Sequence, residues 1–115
     1  MKIIFLTILF SGFFIIVHAQ KPKSGTYVYK LCFNEWNKCM TTCKVIIKGD
    51  SIRVYAEKNL SVPKGEIIDQ GIILKHKSGN WIIGHNLKDK NAKEIGGCTE
   101  GPLIIDFKMK QVWTC

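Results

Sequence analysis

Cysteines stand at 32, 39, 43, 98 and 115, and their spacing limits the chemistry open to them. The first three are separated as C-x6-C and C-x3-C, so a C-x-x-C redox pair is absent. A structural zinc site needs four ligands in closely spaced pairs, which this pattern does not supply, and no metal or cofactor is expected. Disulfide formation is the remaining role. Two bonds would leave one thiol over, and sequence alone does not choose among the pairings. The preferred bond joins Cys98 to Cys115, because the Gly96-Gly97 hinge can fold Cys98 back beside the terminal segment. A second bond is expected from Cys43 to Cys32 or to Cys39, the latter if a helical turn spans the interval. The unpaired thiol would then be a small buried hydrophobe or an exposed nucleophile.

Other reactive groups are sparse. His76 and His85 fall on either side of one predicted turn, with neither a serine nor a cysteine beside them in a nucleophile motif. A turn centred on Gly79-Asn80 would bring the two rings within a diagonal of about 7 Å, whereas a Ser78-Gly79 turn would hold them about 13 Å apart. No pair among the nine Asp and Glu residues has a spacing that marks a hydrolytic acid and base. No catalytic residue is therefore assigned. Among the aromatics, Trp81 and Trp113 fall on predicted apolar faces and are expected in the core. Trp36 differs, lying in the polar stretch Asn34-Glu35-Trp36-Asn37-Lys38 between two cysteines. It is the first candidate for a binding anchor, with Tyr55, His76 and His85 as further ligand-binding candidates. Asn59-Leu60-Ser61 matches a glycosylation acceptor.

Residues 1–19 carry the pattern of an export signal: Lys2, an apolar run from Ile3 to Val17, and small residues at Val17 and Ala19. The run is too short and too interrupted by Ser11-Gly12 for a bilayer span. The mature chain is expected to begin at Gln20, to contain no transmembrane segment, and to form one domain over 20–115. Export places the cysteines in an oxidising compartment. The full chain holds 17 Lys and Arg against 9 Asp and Glu; without Lys2, 16 against 9 leave a net charge of +7. Only Arg53 is arginine, and the lysines are dispersed from Lys21 to Lys110. That distribution argues against specific nucleic-acid recognition and leaves attraction to polyanions as a secondary expectation.

The elements that must position these groups read as consecutive hairpins. Thr26 to Phe33 alternates with a period of two, placing Tyr27, Tyr29, Leu31 and Phe33 on one side. From Cys43 to Glu57, two β-rich runs flank a Gly49-Asp50 turn, which pairs Ile47 with Ile52, Val45 with Val54 and Cys43 with Ala56. A loop around Pro63-Lys64-Gly65 leads to a short run at Glu66-Ile67-Ile68, read as an edge strand. A hairpin over Ile72 to His85 would align Ile72, Leu74, His76, Trp81, Ile83 and His85 on one face. The polar stretch from Asn86 to Gly101 has room for a functional loop or one short helix. A closing hairpin with a turn at Met109 to Gln111 sets Phe107 opposite Trp113 and Ile105 opposite Cys115.

Six to eight short strands without a long amphipathic helix give an all-β domain, a small antiparallel barrel-like or sandwich fold of consecutive hairpins. The expected function is that of a small secreted or periplasmic, non-enzymatic binding module whose loops recognise a protein, glycan or other envelope ligand. Two alternatives come from other classes: a small hydrolase with a histidine base at the barrel mouth, and a basic structural envelope component that binds polyanions.

Overall fold

Seven strands form a closed barrel in the computed structural model, which describes residues 20–57 and 65–115. The export-signal segment and the Asn59 acceptor lie outside the described residues. The strands are β1 (Gly25–Phe33), β2 (Lys38–Lys48), β3 (Ser51–Ala56), β4 (Ile67–Lys75), β5 (Trp81–Gly84), β6 (Leu103–Asp106) and β7 (Gln111–Thr114). Each pairs antiparallel with the next, and β1 closes on β7 in parallel. The parallel seam follows from the count, since an odd number of alternating strands leaves the first and last pointing the same way.

Side-chain alternation sends one face of every strand inward. Leu31, Cys43, Val45, Ile47, Ile52, Val54, Ile73, Ile83, Ile105 and Val112 fill the interior with branched aliphatic and sulfur groups. Trp81, Phe107, Tyr29 and Tyr27 continue that core as a chain of tilted and edge-on rings. The interior is thus packed with side chains, as expected for a small barrel. The β2–β3 hairpin has the anticipated register, including Cys43 opposite Ala56, because Gly49 supplies the positive φ that its tight turn requires.

Three expectations are corrected. The Glu66-Ile67-Ile68 run is not a separate edge strand: Glu66 precedes the nine-residue β4 and Ile67 and Ile68 begin it, and a shift beside Val54 keeps β4 paired with β3. In the β4–β5 hairpin, Leu74 pairs with Ile82 and Lys75 with Trp81. The resulting odd-numbered connection inverts the face relationship, so Ile73, Trp81 and Ile83 turn inward while Leu74, His76 and Ile82 lie outside. In the closing hairpin a four-residue turn places Ile104 opposite Trp113 and Ile105 opposite Val112. Trp113 therefore belongs to the outer face and is half-buried, whereas Trp81 packs against the core as expected.

The segment between β5 and β6 covers part of that outer face. It holds a 3-10 helix, Leu87–Asn91, whose preceding Asn86 side chain accepts from the Lys88 N–H. The segment is tied back by Lys77 N–H to the Lys90 carbonyl and by His76 Nε2 to the Ala92 carbonyl, both at short hydrogen-bond distances. Leu74 and Ile82, outside the barrel interior, are consequently buried at 6% and 0% exposure. A second, smaller apolar layer thus lies between the barrel and this segment.

Candidate functional site

Two disulfides are present, Cys32–Cys39 and Cys98–Cys115. The second is the bond expected from the Gly-Gly hinge. Gly97 lies so close to β7 that a Cβ there would come within 2.2 Å of the Thr114 carbonyl carbon, so glycine is what admits the segment. Cys43, expected in a bond, is instead the free and buried thiol. An irregularity between Leu31 and Cys32 brings Cys32 opposite Cys39. Cys43 lies farther along an extended strand, facing the core beside Val45, and four residues of strand span about 13 Å. Burial, reinforced by the charge of Glu57, pushes its thiol up to about 12. A thiol held protonated in the core acts as a small hydrophobe, not a nucleophile.

The two bonds converge on the loop-bearing end of the barrel. Between Cys32 and Cys39, residues Asn34 to Asn37 turn the chain, with Asn37 at φ 51°. The Asn34 N–H donates to the Thr114 carbonyl at 2.8 Å, and its side-chain oxygen accepts from the Gly97 N–H at 2.9 Å. One asparagine thereby joins the β1–β2 turn to both partners of the Cys98–Cys115 region. Trp36 projects from this turn with 56% of its surface exposed, and its ring tilts against Phe33 at 5.8 Å. Met40, on the adjoining strand, is also exposed.

The histidines are in unrelated environments. His76 is buried, with Nδ1 at 2.8 Å from the Ser78 hydroxyl and Nε2 at 2.8 Å from the Ala92 carbonyl. Nε2 thus fastens the covering segment, while Nδ1 is held within the β4–β5 turn. His85 is exposed, and its Nε2 lies 2.8 Å from Asp69 Oδ1. Asp69 stands opposite Val54 in the register, and its side chain is only 13% exposed. A second carboxylate, that of Asp89, accepts the His85 N–H at 2.8 Å.

His85 also borders an open cleft of about 500 Å³, with Asp89, Glu94, Glu100 and Lys93 among its walls. Sequence reasoning selected His85 but not Asp69, whose approach depends on the pairing between β3, β4 and β5. Among the described residues, no cluster of three His, Cys, Asp or Glu side chains is arranged to hold a metal. Tyr55 is remote from both Trp36 and this cleft in chain position, standing on the outer face of β3 with the Lys44 ammonium 5.3 Å from its ring centre.

Two disulfides mark an oxidising, exported environment. Among the described residues no helix is long and apolar enough to cross a membrane. In comparisons with known proteins, the chain matches no protein-family model, no curated protein and no solved structure.

Proposed function

We propose that this is an exported, non-enzymatic binding module, released by cleavage after residue 19, which engages its partner through the loop-bearing end of the barrel. The observation that carries the reading is Trp36, a large ring more than half exposed on a turn held by a disulfide and by the hydrogen bonds that link Asn34 to Thr114 and Gly97. An aromatic anchor on a braced turn loses little conformational freedom on binding, which is the condition under which few contacts give useful affinity. The packed barrel interior supports recognition on the outside. The partner class is an envelope protein or glycan presenting an apolar or sugar face to the indole.

The test is photo-crosslinking from a residue-36 probe in the native envelope, together with capture by wild type and Trp36→Ala. A defined crosslinked partner, lost with the alanine variant while its thermal unfolding is unchanged, is the expected result. Equal capture by both proteins would remove Trp36 as anchor.

A second reading is favoured by the Asp69–His85 pair beside the cleft. A carboxylate on one imidazole nitrogen fixes the tautomer and leaves the other to take a proton from water. A hydrolase of this type would act through water, since neither serine nor cysteine lines the cleft. Turnover of ester, glycoside or peptide substrates that disappears in His85→Ala would establish it; equal background rates would eliminate it.

A further inference from the structure

The outer surface of the barrel is divided between a covered and a bare part. The segment after β5 lies over the end of β4 and over β5, where Leu74 and Ile82 are buried beneath it. Away from that cover and from the Cys32–Cys39 bond, the outer face of β1 to β4, from Thr26 to Lys30, Thr42 to Lys48, Ser51 to Tyr55 and Ile67 to Ile72, is exposed or half-exposed. Its residues follow from the register: Thr26, Ile46, Arg53 and Gln70 form one cross-strand row, and Val28, Lys44, Tyr55 and Ile67 form the next. Lys30 stands opposite Thr42, and Lys48 opposite Ser51.

Lys30, Lys44, Arg53 and Lys48 are consequently diagonal neighbours in a continuous line, at spacings of about 7 Å. Among the described residues, the ion pairs are Lys21–Asp50 and His85–Asp69, so none of these four cations is neutralised by a carboxylate. Asp50, Glu57 and Glu66 lie at the ends of the face, the first paired with Lys21, the second accepting from Thr42 and the third next to Ile67. Asp69, Asp89, Glu94 and Glu100 belong to the β4 start and the covering segment. Charges that look dispersed along the chain are thus gathered by the fold.

We propose that this bare face of β1 to β4 docks on an anionic lipid bilayer surface. A row of uncompensated cations attracts an anionic partner, and their identity narrows it. Three of the four are lysines, which act as point charges suited to a fluid headgroup layer rather than to bidentate recognition of a fixed phosphate. Between them stand Val28, 60% exposed, and Ile67, 45% exposed, aliphatic side chains that gain by entering the headgroup boundary. Tyr55, held beside Lys44, adds an amphipathic ring of the kind that settles at headgroup depth. This surface is separate from the Trp36 end, and the inference does not depend on that reading.

The experiment is co-sedimentation of the disulfide-intact protein with phosphatidylcholine vesicles, with and without phosphatidylglycerol, over a series of salt concentrations. Binding confined to the anionic vesicles and falling steeply with salt is expected. The pair Lys44→Ser and Arg53→Ser should weaken it roughly 25-fold, at about fivefold per charge near the surface. Val28→Ser should weaken binding to anionic vesicles at fixed charge, while Lys88→Ser with Lys93→Ser and, separately, Trp36→Ala should leave it unchanged. Thermal unfolding of each variant shows that the fold is retained. Equal binding to both vesicle types, or no vesicle binding, would overturn the proposal. So would binding only to a soluble sulfated polysaccharide or DNA, or self-association of basic face with acidic cleft.

Discussion

Cys43 illustrates how one side chain is governed by its face of a strand. The sequence pattern sets it on the same side of β2 as Val45 and Ile47, and in the barrel that side is the core, with Cys43 at 0% exposure, while Cys32 and Cys39 meet on the outer face. It should resist a thiol reagent in the native protein and react once on unfolding, with the two disulfides intact. Alkaline stability should report the same burial. The unfolded thiol ionises near its ordinary value of 9.0, but the folded one is pushed up to about 12, so the folded state holds a proton that the unfolded state releases. Stability from this group is complete below pH 9.0 and falls as pH rises toward the folded value near 12. Tyr29, raised by burial and then by Tyr27, contributes in the same direction. Denaturant unfolding of wild type and Cys43→Ala across that range should show a shallower alkaline decline in the variant, which also loses about 1 kcal/mol at neutral pH for the small cavity. Parallel pH curves would mean that Cys43 does not set the slope.

At the scale of elements, legibility followed locality. The β2–β3 turn is specified by adjacent residues, so its register could be read in the chain; the same holds for the Cys98–Cys115 bond, prepared by two neighbouring glycines. The β4–β5 and β6–β7 registers were misplaced because each turn differs in length from the one assumed, and an odd shift exchanges the two faces. The Asp69–His85 contact and the Asn34 link to Gly97 required knowledge of which distant strands adjoin. The covering segment offers the corresponding test. Its disulfide closes a separation of 17 residues, for which the chain-entropy estimate is about 3 kcal/mol. Paired Cys98→Ser and Cys115→Ser should lower stability by about that amount and accelerate hydrogen exchange at the Gly96 and Gly97 amides. Those amides otherwise donate to Pro102 and Asn34. Leu74→Ala should cost a further 2 to 5 kcal/mol, roughly, if the apolar layer beneath the segment is well packed. Unchanged exchange after loss of the disulfide would show that His76 and this layer hold the segment alone.

For the whole molecule, the seam between β1 and β7 decides whether seven strands act as one unit. It comprises four residue pairs, Lys30 to Phe33 against Gln111 to Thr114, extended by Lys30 N–H to the Lys110 carbonyl and Asn34 N–H to the Thr114 carbonyl. Inward from it, Leu31 and Val112 face each other with 1% and 0% exposure, so opening the seam would uncover the core and two strand edges together. A meander without closure would instead keep β2 to β4 intact while its ends fray. Removing residues 108–115 discriminates the two cases. It deletes β7 and one half of the Cys98–Cys115 bond, and the Cys98→Ser/Cys115→Ser protein is the control that isolates the strand from the disulfide. The expectation is loss of cooperative unfolding throughout, with exchange of β2 and β3 amides rising as much as that of β6, and association through exposed edges. A truncated chain that retained a sharp transition and slow exchange in β2 and β3 would show that the first hairpins fold without the seam. Closure also sets the curvature on which Lys30, Lys44, Arg53 and Lys48 are aligned, so the control protein should keep its vesicle binding and the truncated one should lose it.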